Sequence, residues 1–155
     1  MSKDKKEYQV QIVNRKAKFL YHFDQTYEAG IKLTGTEIKS IRAGEANLND
    51  AYCVFKRGEL YVISLYIAEY KFGNEQNHET RRPRKLLLKR HELKKLERKL
   101  KEKGYTLIPY QLYVNERGLA KLEIALAKGK KSFDKRESIK KKDQKRDMER
   151  IQKYR

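Results

Sequence analysis

The chain is predicted to be mainly β, a small antiparallel barrel carrying a few helices and followed by a basic C-terminal tail. Three observations lead there. Leu60, Val62 and Tyr66 with Tyr61, Ile63, Leu65 and Ile67 form a mostly apolar run suited to a buried strand. Leu122, Ile124 and Leu126 alternate with Lys121, Glu123 and Ala125, the period of two expected when one face is packed and the other wet. The positive charge, finally, is gathered into two segments instead of being spread along the chain.

The elements follow in order. Extended segments are predicted at 8–13, 19–23 and 30–33. Phe55 and Leu60 flank Lys56-Arg57-Gly58-Glu59, a hairpin turn in which Gly58 supplies the conformational freedom. A second hairpin runs through 105–114 and 119–127, with Asn115 to Gly118 as its turn. About six short strands separated by turn residues fit a closed barrel, because closure removes exposed edges. An OB-like barrel is the predicted architecture.

Leu86, Leu93, Leu96 and Leu100 fall at i, i+7, i+10 and i+14 and so make one apolar helical stripe, which Gly104 ends. Its start is open: Pro83 fits a helix beginning nearby, whereas Lys85-Leu86-Leu87-Leu88 fits the end of an extended segment. A shorter helix is predicted over 36–43, with Thr36 as N-cap, Lys39 and Arg42 on its outer face and Gly44 as the stop.

A length of 155 residues supports one folded domain with appendages. Cys53 is the single cysteine, which excludes a disulfide framework or thiolate cluster and fits a reducing compartment. The polar start and the lack of ~18 consecutive apolar residues point to a cytoplasmic protein. His22, His78 and His91 lack metal-ligand spacing, and Cys53 beside Tyr52 and Val54 reads as a small buried residue. Glu28, Glu37 and Asp50 form no carboxylate site that spacing alone supports. No enzyme, metal site or cofactor is expected.

The net charge of +18 resolves by segment. Residues 1–80 carry 12 basic and 11 acidic side chains and residues 104–127 carry two of each, whereas 81–103 carry 12 against three and 128–155 carry 13 against five. Two concentrated stretches suggest two surfaces facing a polyanion. Arg81, Arg82, Arg84, Lys85, Lys89 and Arg90 are candidate phosphate contacts, with a solvated helix face as the bland alternative. Some of the 11 Tyr and five Phe are candidates for stacking on unpaired bases, though most are expected in the core. Single-stranded or structured RNA fits better than duplex DNA, since no major-groove recognition helix is evident.

From Ser132 onward only Phe133, Ile139, Met148, Ile151 and Tyr154 are large and apolar, too few to offset the entropy of ordering the tail alone. The tail is expected to be mobile when free. It also lacks Gly and Pro after Gly129 and is rich in Lys, Arg, Glu and Gln, so it should fold as a helix on binding.

An ordered set of motifs resembles the SsrA-binding protein (SmpB) family along the whole chain. They are Asn14-Arg15-Lys16-Ala17, Tyr21, Glu28-Ala29-Gly30-Ile31, Gly35-Thr36-Glu37-Ile38-Lys39-Ser40-Ile41-Arg42-Ala43-Gly44, Asp50-Ala51-Tyr52, Arg82-Pro83-Arg84-Lys85-Leu86-Leu87-Leu88, Gly104-Tyr105-Thr106-Leu107-Ile108-Pro109, Ala127-Lys128-Gly129-Lys130-Lys131 and Asp134-Lys135-Arg136. The resemblance implies a six-stranded OB-like barrel with about three helices over 1–131, gripping the tRNA-like domain of tmRNA, and a tail over 132–155 that becomes helical on the ribosome. Asn14, Tyr21, Glu28, Tyr52 and Leu87 match positions associated with that RNA surface, to which Arg15, Lys16, Arg82, Arg84, Lys85 and Lys89 add positive charge.

The resemblance also implies that the tail enters the vacant decoding centre and mRNA channel of a stalled ribosome, against small-subunit ribosomal RNA. Its candidate contacts are Lys130, Lys131, Phe133, Asp134, Lys135, Arg136, Lys140, Lys141, Lys145, Arg146, Arg150, Ile151 and Lys153. Lys89 stands where some members carry Asn, so a hydrogen bond there becomes a phosphate contact. Phe133 stands where several carry His, so stacking persists and protonation does not. The expected protein is a cytoplasmic monomer, a rescue factor in bacterial trans-translation. Two other classes stay in view: a constitutive ribosomal or RNA-chaperone protein, and a small RNA-processing enzyme. Glu28 and Glu37 have equally plain roles as capping or pairing groups inside the barrel, or Glu28 accepts hydrogen bonds from RNA.

Overall fold

A computed structural model describes residues 10–73 and 76–153. The first half of the predicted 8–13 strand up to Gln9, and Tyr154 of the tail, lie outside the described residues. Element order is β1 (Gln11–Val13), α1 (Arg15–Leu20), β2 (Tyr21–Ile31), α2 (Gly35–Arg42), β3 (Ala46–Asn47), β4 (Tyr52–Lys56), β5 (Glu59–Ile63), β6 (Tyr66–Ile67), β7 (Arg84–Leu87), α3 (Arg90–Leu100), β8 (Tyr105–Val114), β9 (Ala120–Gly129) and α4 (Ser132–Lys153).

Seven strands form one antiparallel sheet in the order β1-β8-β9-β2-β7-β5-β4, and β3 pairs with β6 in a separate two-stranded ladder. The six-stranded closed barrel is therefore corrected to a curled, open sheet. β4 returns close to β8, but among the described residues no ladder joins them. The expected three helices become four. The segment around Phe19 is helical in α1, and the predicted strands at 19–23 and 30–33 are two ends of the single strand β2.

The reason is a pair of bulges. On β2 the register shifts between Phe23, opposite Ala127, and Gln25, opposite Leu126. On β8 it shifts between Pro109, opposite Ile124, and Gln111, opposite Glu123. Each extra residue turns over the faces of its strand. Beyond the bulges Ala29, Leu112, Leu122 and Ile124 point into the main core with Leu60, Val62, Leu86 and Leu96. Before them Phe23, Ile108, Ala125 and Ala127 pack on the opposite face, beneath Ala17 of α1. Pro109 suits this place, since a bulge tolerates a residue without an N–H.

The hairpins form where expected. Arg57 and Gly58 have φ of 54° and 75°, the left-handed pair of a two-residue turn between β4 and β5. In the β8–β9 turn the Asn115 side-chain oxygen accepts from the amides of Arg117 (3.0 Å) and Leu119 (2.9 Å). Leu86 belongs to β7, so the apolar stripe of α3 is carried by Leu93, Leu96 and Leu100 alone. The cap of α2 also moves two residues: Thr34, not Thr36, precedes the helix, and its amide donates to Glu37 Oε1 at 2.9 Å.

Glu37 is a densely connected polar group of the core, at 0% exposure. Its Oε1 also receives Nε (3.0 Å) and Nη2 (2.5 Å) of Arg82, while Oε2 receives Nε of Arg84, itself 0% exposed. Arg84 goes on to donate Nη1 to Leu65 O (2.6 Å) and Nη2 to Thr80 O (3.2 Å). Beside this cluster the Thr36 hydroxyl lies 2.8 Å from His78 Nδ1, and His78 Nε2 is 2.9 Å from Ile67 O. A carbonyl only accepts, so the Nε2 position bears the proton and Nδ1 receives the hydroxyl. Burial by itself makes the Glu37 carboxyl a weaker acid, but the bonds from Arg82, Thr34 and Arg84 outweigh it and hold its pKa below the usual carboxylate range. Burial pushes the Cys53 thiol up, as befits an inert core residue.

Removing one partner of a buried pair strands the other's charge. Glu37→Ala should lower the unfolding free energy by about 3–5 kcal/mol, read from urea denaturation. Because the native carboxyl binds its proton more weakly than the unfolded one, its contribution is present at neutral pH and is lost as pH falls through the acid range. Urea midpoints followed from neutral pH into that range should show a smaller acid loss in Glu37→Ala than in the parent chain.

Candidate RNA interface

The outward register of the sheet assembles four of the predicted folded-domain residues. On β7, Arg84 and Leu86 face inward while Lys85 and Leu87 face out. Gly30 pairs with Leu87 and Tyr61 with Lys85, and Ile63 of β5 pairs with Tyr52 of β4. Glu28, Leu87, Lys85 and Tyr52 thus share one face, with Leu87 51% and Tyr52 48% exposed. A side chain at position 30 would bring Cβ within 3.2 Å of Leu87 Cβ, so Gly30 leaves the room that Leu87 occupies. Next to Leu87 lies a groove of about 360 Å³ floored by Leu33, Ile38, Leu119 and Ala120 with Arg42 at its rim.

The polar groups of this face are already connected. Glu28 accepts from the hydroxyl of Tyr113, Glu123 from the amide of Gln111, and Gln111 from Gln11 at 2.6 Å. Lys85 Nζ lies 2.9 Å from Glu59, whose other oxygen accepts from Tyr61 at 3.1 Å. Lys85 is raised and Glu59 lowered by that mutual hydrogen bond. Such pairing fixes side-chain directions without removing their capacity to bond a ligand.

At the far end α1 closes the second core and turns Arg15, Lys16 and Lys18 to solvent. Asn14 is buried: its amide donates to Tyr110 O at 2.7 Å and its side chain to Pro109 O at 3.4 Å. It anchors the basic helix instead of presenting itself. Tyr21 is half-buried over the same core. Lys18 Nζ sits 4.9 Å from the Tyr110 ring centre, and Tyr110 meets Phe23 edge to face at 5.2 Å. Tyr105 lies between Lys128 (4.5 Å) and Lys99 (5.9 Å), with its hydroxyl 3.2 Å from Asp24. These lysine–aromatic pairs escaped sequence reasoning because each joins separate elements. Lys18 alone had a signal, one helical turn from Arg15, hidden by the assignment of Phe19 to a strand.

One phosphate candidate is corrected. Arg84 is enclosed by Glu37 and three carbonyls, so its guanidinium holds the core and has no surface to offer a phosphate. Arg82, partly exposed, is held by the same carboxylate. Lys89 is exposed ahead of α3, where its amide donates to Glu92 at 3.3 Å. The described carboxylates do not converge on a metal-sized site either: Glu37 is inside and Glu28 outside.

The tail candidates lie on α4 and, for Lys130 and Lys131, just ahead of it. Lys130 is tied at its root, its amide to Leu20 O (2.8 Å) and its Nζ to Ser138 Oγ (2.8 Å), and Lys131 O accepts from Lys135 at 3.1 Å. Asp134 lies 3.3 Å from His22. Beyond that first turn Arg136, Lys140, Lys141, Lys145, Arg146, Arg150, Ile151 and Lys153 are exposed, as is Phe133.

An antiparallel sheet that carries the basic helix α1 and, leaving beside it, a long cationic helical arm defines a polyanion-binding protein. The family model described as SmpB protein matches residues 11–154, so the chain belongs to the SmpB family. It is 57% identical over 142 residues to an SsrA-binding protein of Phocaeicola vulgatus, covering 92% of this chain and 95% of that one. The SsrA-binding protein of Bacteroides thetaiotaomicron is 56% identical over 146 residues, covering 94% and 97%. A solved chain from work on tmRNA-SmpB in the bacterial ribosome superposes with a TM-score of 0.68 at 47% identity, over 83% of this chain and 94% of that one.

Arg15 and Arg84 make a clean contrast. Replacing Arg15 and Lys16 by Gln should lower the salt slope of RNA binding by about 2 while leaving the thermal midpoint unchanged. Arg84→Gln should destabilise the fold and leave the slope of the remaining folded protein as it was. Filter-binding titrations across salt, paired with thermal melts, separate the two.

Proposed function

We propose that this protein binds the tRNA-like domain of tmRNA through its folded body and brings it to stalled ribosomes in trans-translation. The observation that carries this is the pairing of a cationic folded body with a long cationic arm on one chain of the SmpB family. The relatives are SsrA-binding proteins, and the structural neighbour concerns tmRNA-SmpB in the bacterial ribosome. The work is binding, not turnover. Its setting is the cytoplasm, consistent with the finding that no described helix is long and apolar enough to cross a membrane.

In this reading residues 1–131 form the tmRNA-binding unit. Arg15, Lys16 and Lys89 engage phosphates, Lys85 does so after exchanging its bond to Glu59, and Tyr21, Tyr52 and Leu87 offer apolar area to bases and sugars. Glu28 accepts hydrogen bonds from base or ribose donors, aimed by the Tyr113 hydroxyl. Asn14 and Arg84 act one step back, holding α1 and β7. Residues 132–155 form the ribosome-binding tail, mobile when free and helical once bound. Its cations follow the vacated mRNA path, from which bound mRNA excludes it sterically.

Truncation after Lys131 should leave affinity for the tRNA-like domain within about threefold, since the tail's phosphate contacts are made elsewhere, and should abolish peptide tagging on stalled ribosomes. Parallel loss of both would sink the two-surface assignment. A constitutive ribosomal protein would instead copurify in equal amounts with translating ribosomes.

A further inference from the structure

Phe72 is the most exposed large apolar side chain among the described residues, at 75%. It stands on a built mount. Asn77 clasps the loop from both sides: its Oδ1 accepts from the Tyr70 amide (3.1 Å) and its Nδ2 donates to Tyr70 O (2.9 Å), which also receives the Gly73 amide at 2.9 Å. The clasp is tight, for a Cβ at position 73 would come within 2.7 Å of Asn77 Nδ2. The next residue, His78, is buried and bonded to Thr36 and Ile67. Phe72 is therefore presented by a loop held to the core.

Its surroundings narrow the partner. Tyr70 meets Phe72 edge to face at 5.7 Å, and Lys39 of α2 places Nζ 5.4 Å from the Tyr70 ring centre. On the same connection Arg81 lies 5.4 Å from the ring centre of Tyr66. Glu69 and Lys71, both exposed, flank the pair. A protein-docking patch needs contiguous apolar area, and here one ring stands between charged neighbours. A flat ring with cations beside it suits a nucleobase on the ring and its phosphate on the ammonium groups.

We propose that Phe72 is a stacking platform for one unpaired nucleobase of RNA, with Lys39 and Lys71 as its phosphate partners, at a site separate from the sheet face and from α4. It rests on the RNA-binding function above and adds a third contact. The RNA is either the tRNA-like domain or the small-subunit ribosomal RNA, which share this chemistry.

The test uses the full chain with two probes, a transcribed tRNA-like domain and purified small ribosomal subunits. Phe72→Ala should weaken binding to one of them by about 5- to 100-fold, the range of a lost base–aromatic stack. Phe72→Tyr should bind as the parent does. The chain has no tryptophan, so Phe72→Trp supplies the sole indole, whose emission should be quenched by the same probe. The probe that responds names the source. If the parent binds and Phe72→Ala binds both probes equally well, the platform is wrong and the RNA-binding function stands. Quenching that survives nuclease digestion of the subunit would put the ring against protein and overturn it. A parent chain that binds neither probe overturns both.

Discussion

The Glu37 carboxylate is the constraint on which the folded body turns. It reaches the first turn of α2, the start of β7 and, through Arg84, the carbonyls of Leu65 and Thr80. Those groups come from four stretches of chain that the hydrophobic core could bring together in more than one way. A buried carboxylate with two guanidinium partners accepts few alternatives, since any slip strands a charge out of water. The ladder between β5 and β7 is short, two register pairs, and the ion cluster holds it in place. The outward positions of Lys85 and Leu87 follow, because the strand that buries Arg84 and Leu86 must expose their neighbours.

The second organising device is the double use of one sheet. Without the bulges in β2 and β8, a strand would bury one face throughout its length. With them, β2 turns Phe23 toward α1 and Ala29 toward the main core, and at the α1 end the sheet is packed on both faces, Leu107 and Leu126 on the main core and Ile108, Ala125 and Ala127 beneath α1. The basic helix is thereby fastened flat on the sheet, and its position depends on the Asn14 anchor and on Ala17, Ala125 and Ala127, whose small side chains permit close approach. Rigidity here serves recognition: cations on a fixed element lose less entropy on meeting phosphates than cations on a loop.

How much of this was legible in the sequence depended on how local the signal was. The hairpins at Gly58 and at Asn115 to Gly118 and the stripe of Leu93, Leu96 and Leu100 were, because each lies within a few residues of chain. The openness of the sheet was not, and the length of β2 was hidden because bulges interrupt alternation and made one long strand look like two short ones. Leu86 joined the wrong element by a coincidence of spacing. Arg84 was misread as a phosphate ligand because its partner, Glu37, lies 47 positions away and nothing nearby marks the charge as buried. The outward set of Glu28, Tyr52, Lys85 and Leu87 came through the family motifs, and register supplied the physical reason they share a face.

The arm that leaves β9 also has a length. As a helix over Ser132–Lys153 it extends roughly 33 Å at 1.5 Å per residue. A helix of that span is a ruler as much as a cationic surface. Its root is tied through Lys130 to Leu20, so the tip stands at a set separation from the basic helix. Deleting one turn would draw the tip in by about 5 Å and keep the same sides facing outward, while deleting two residues would also swing the cations by more than half a turn about the axis. Spacing and angular phase, not charge alone, are what such an arm encodes.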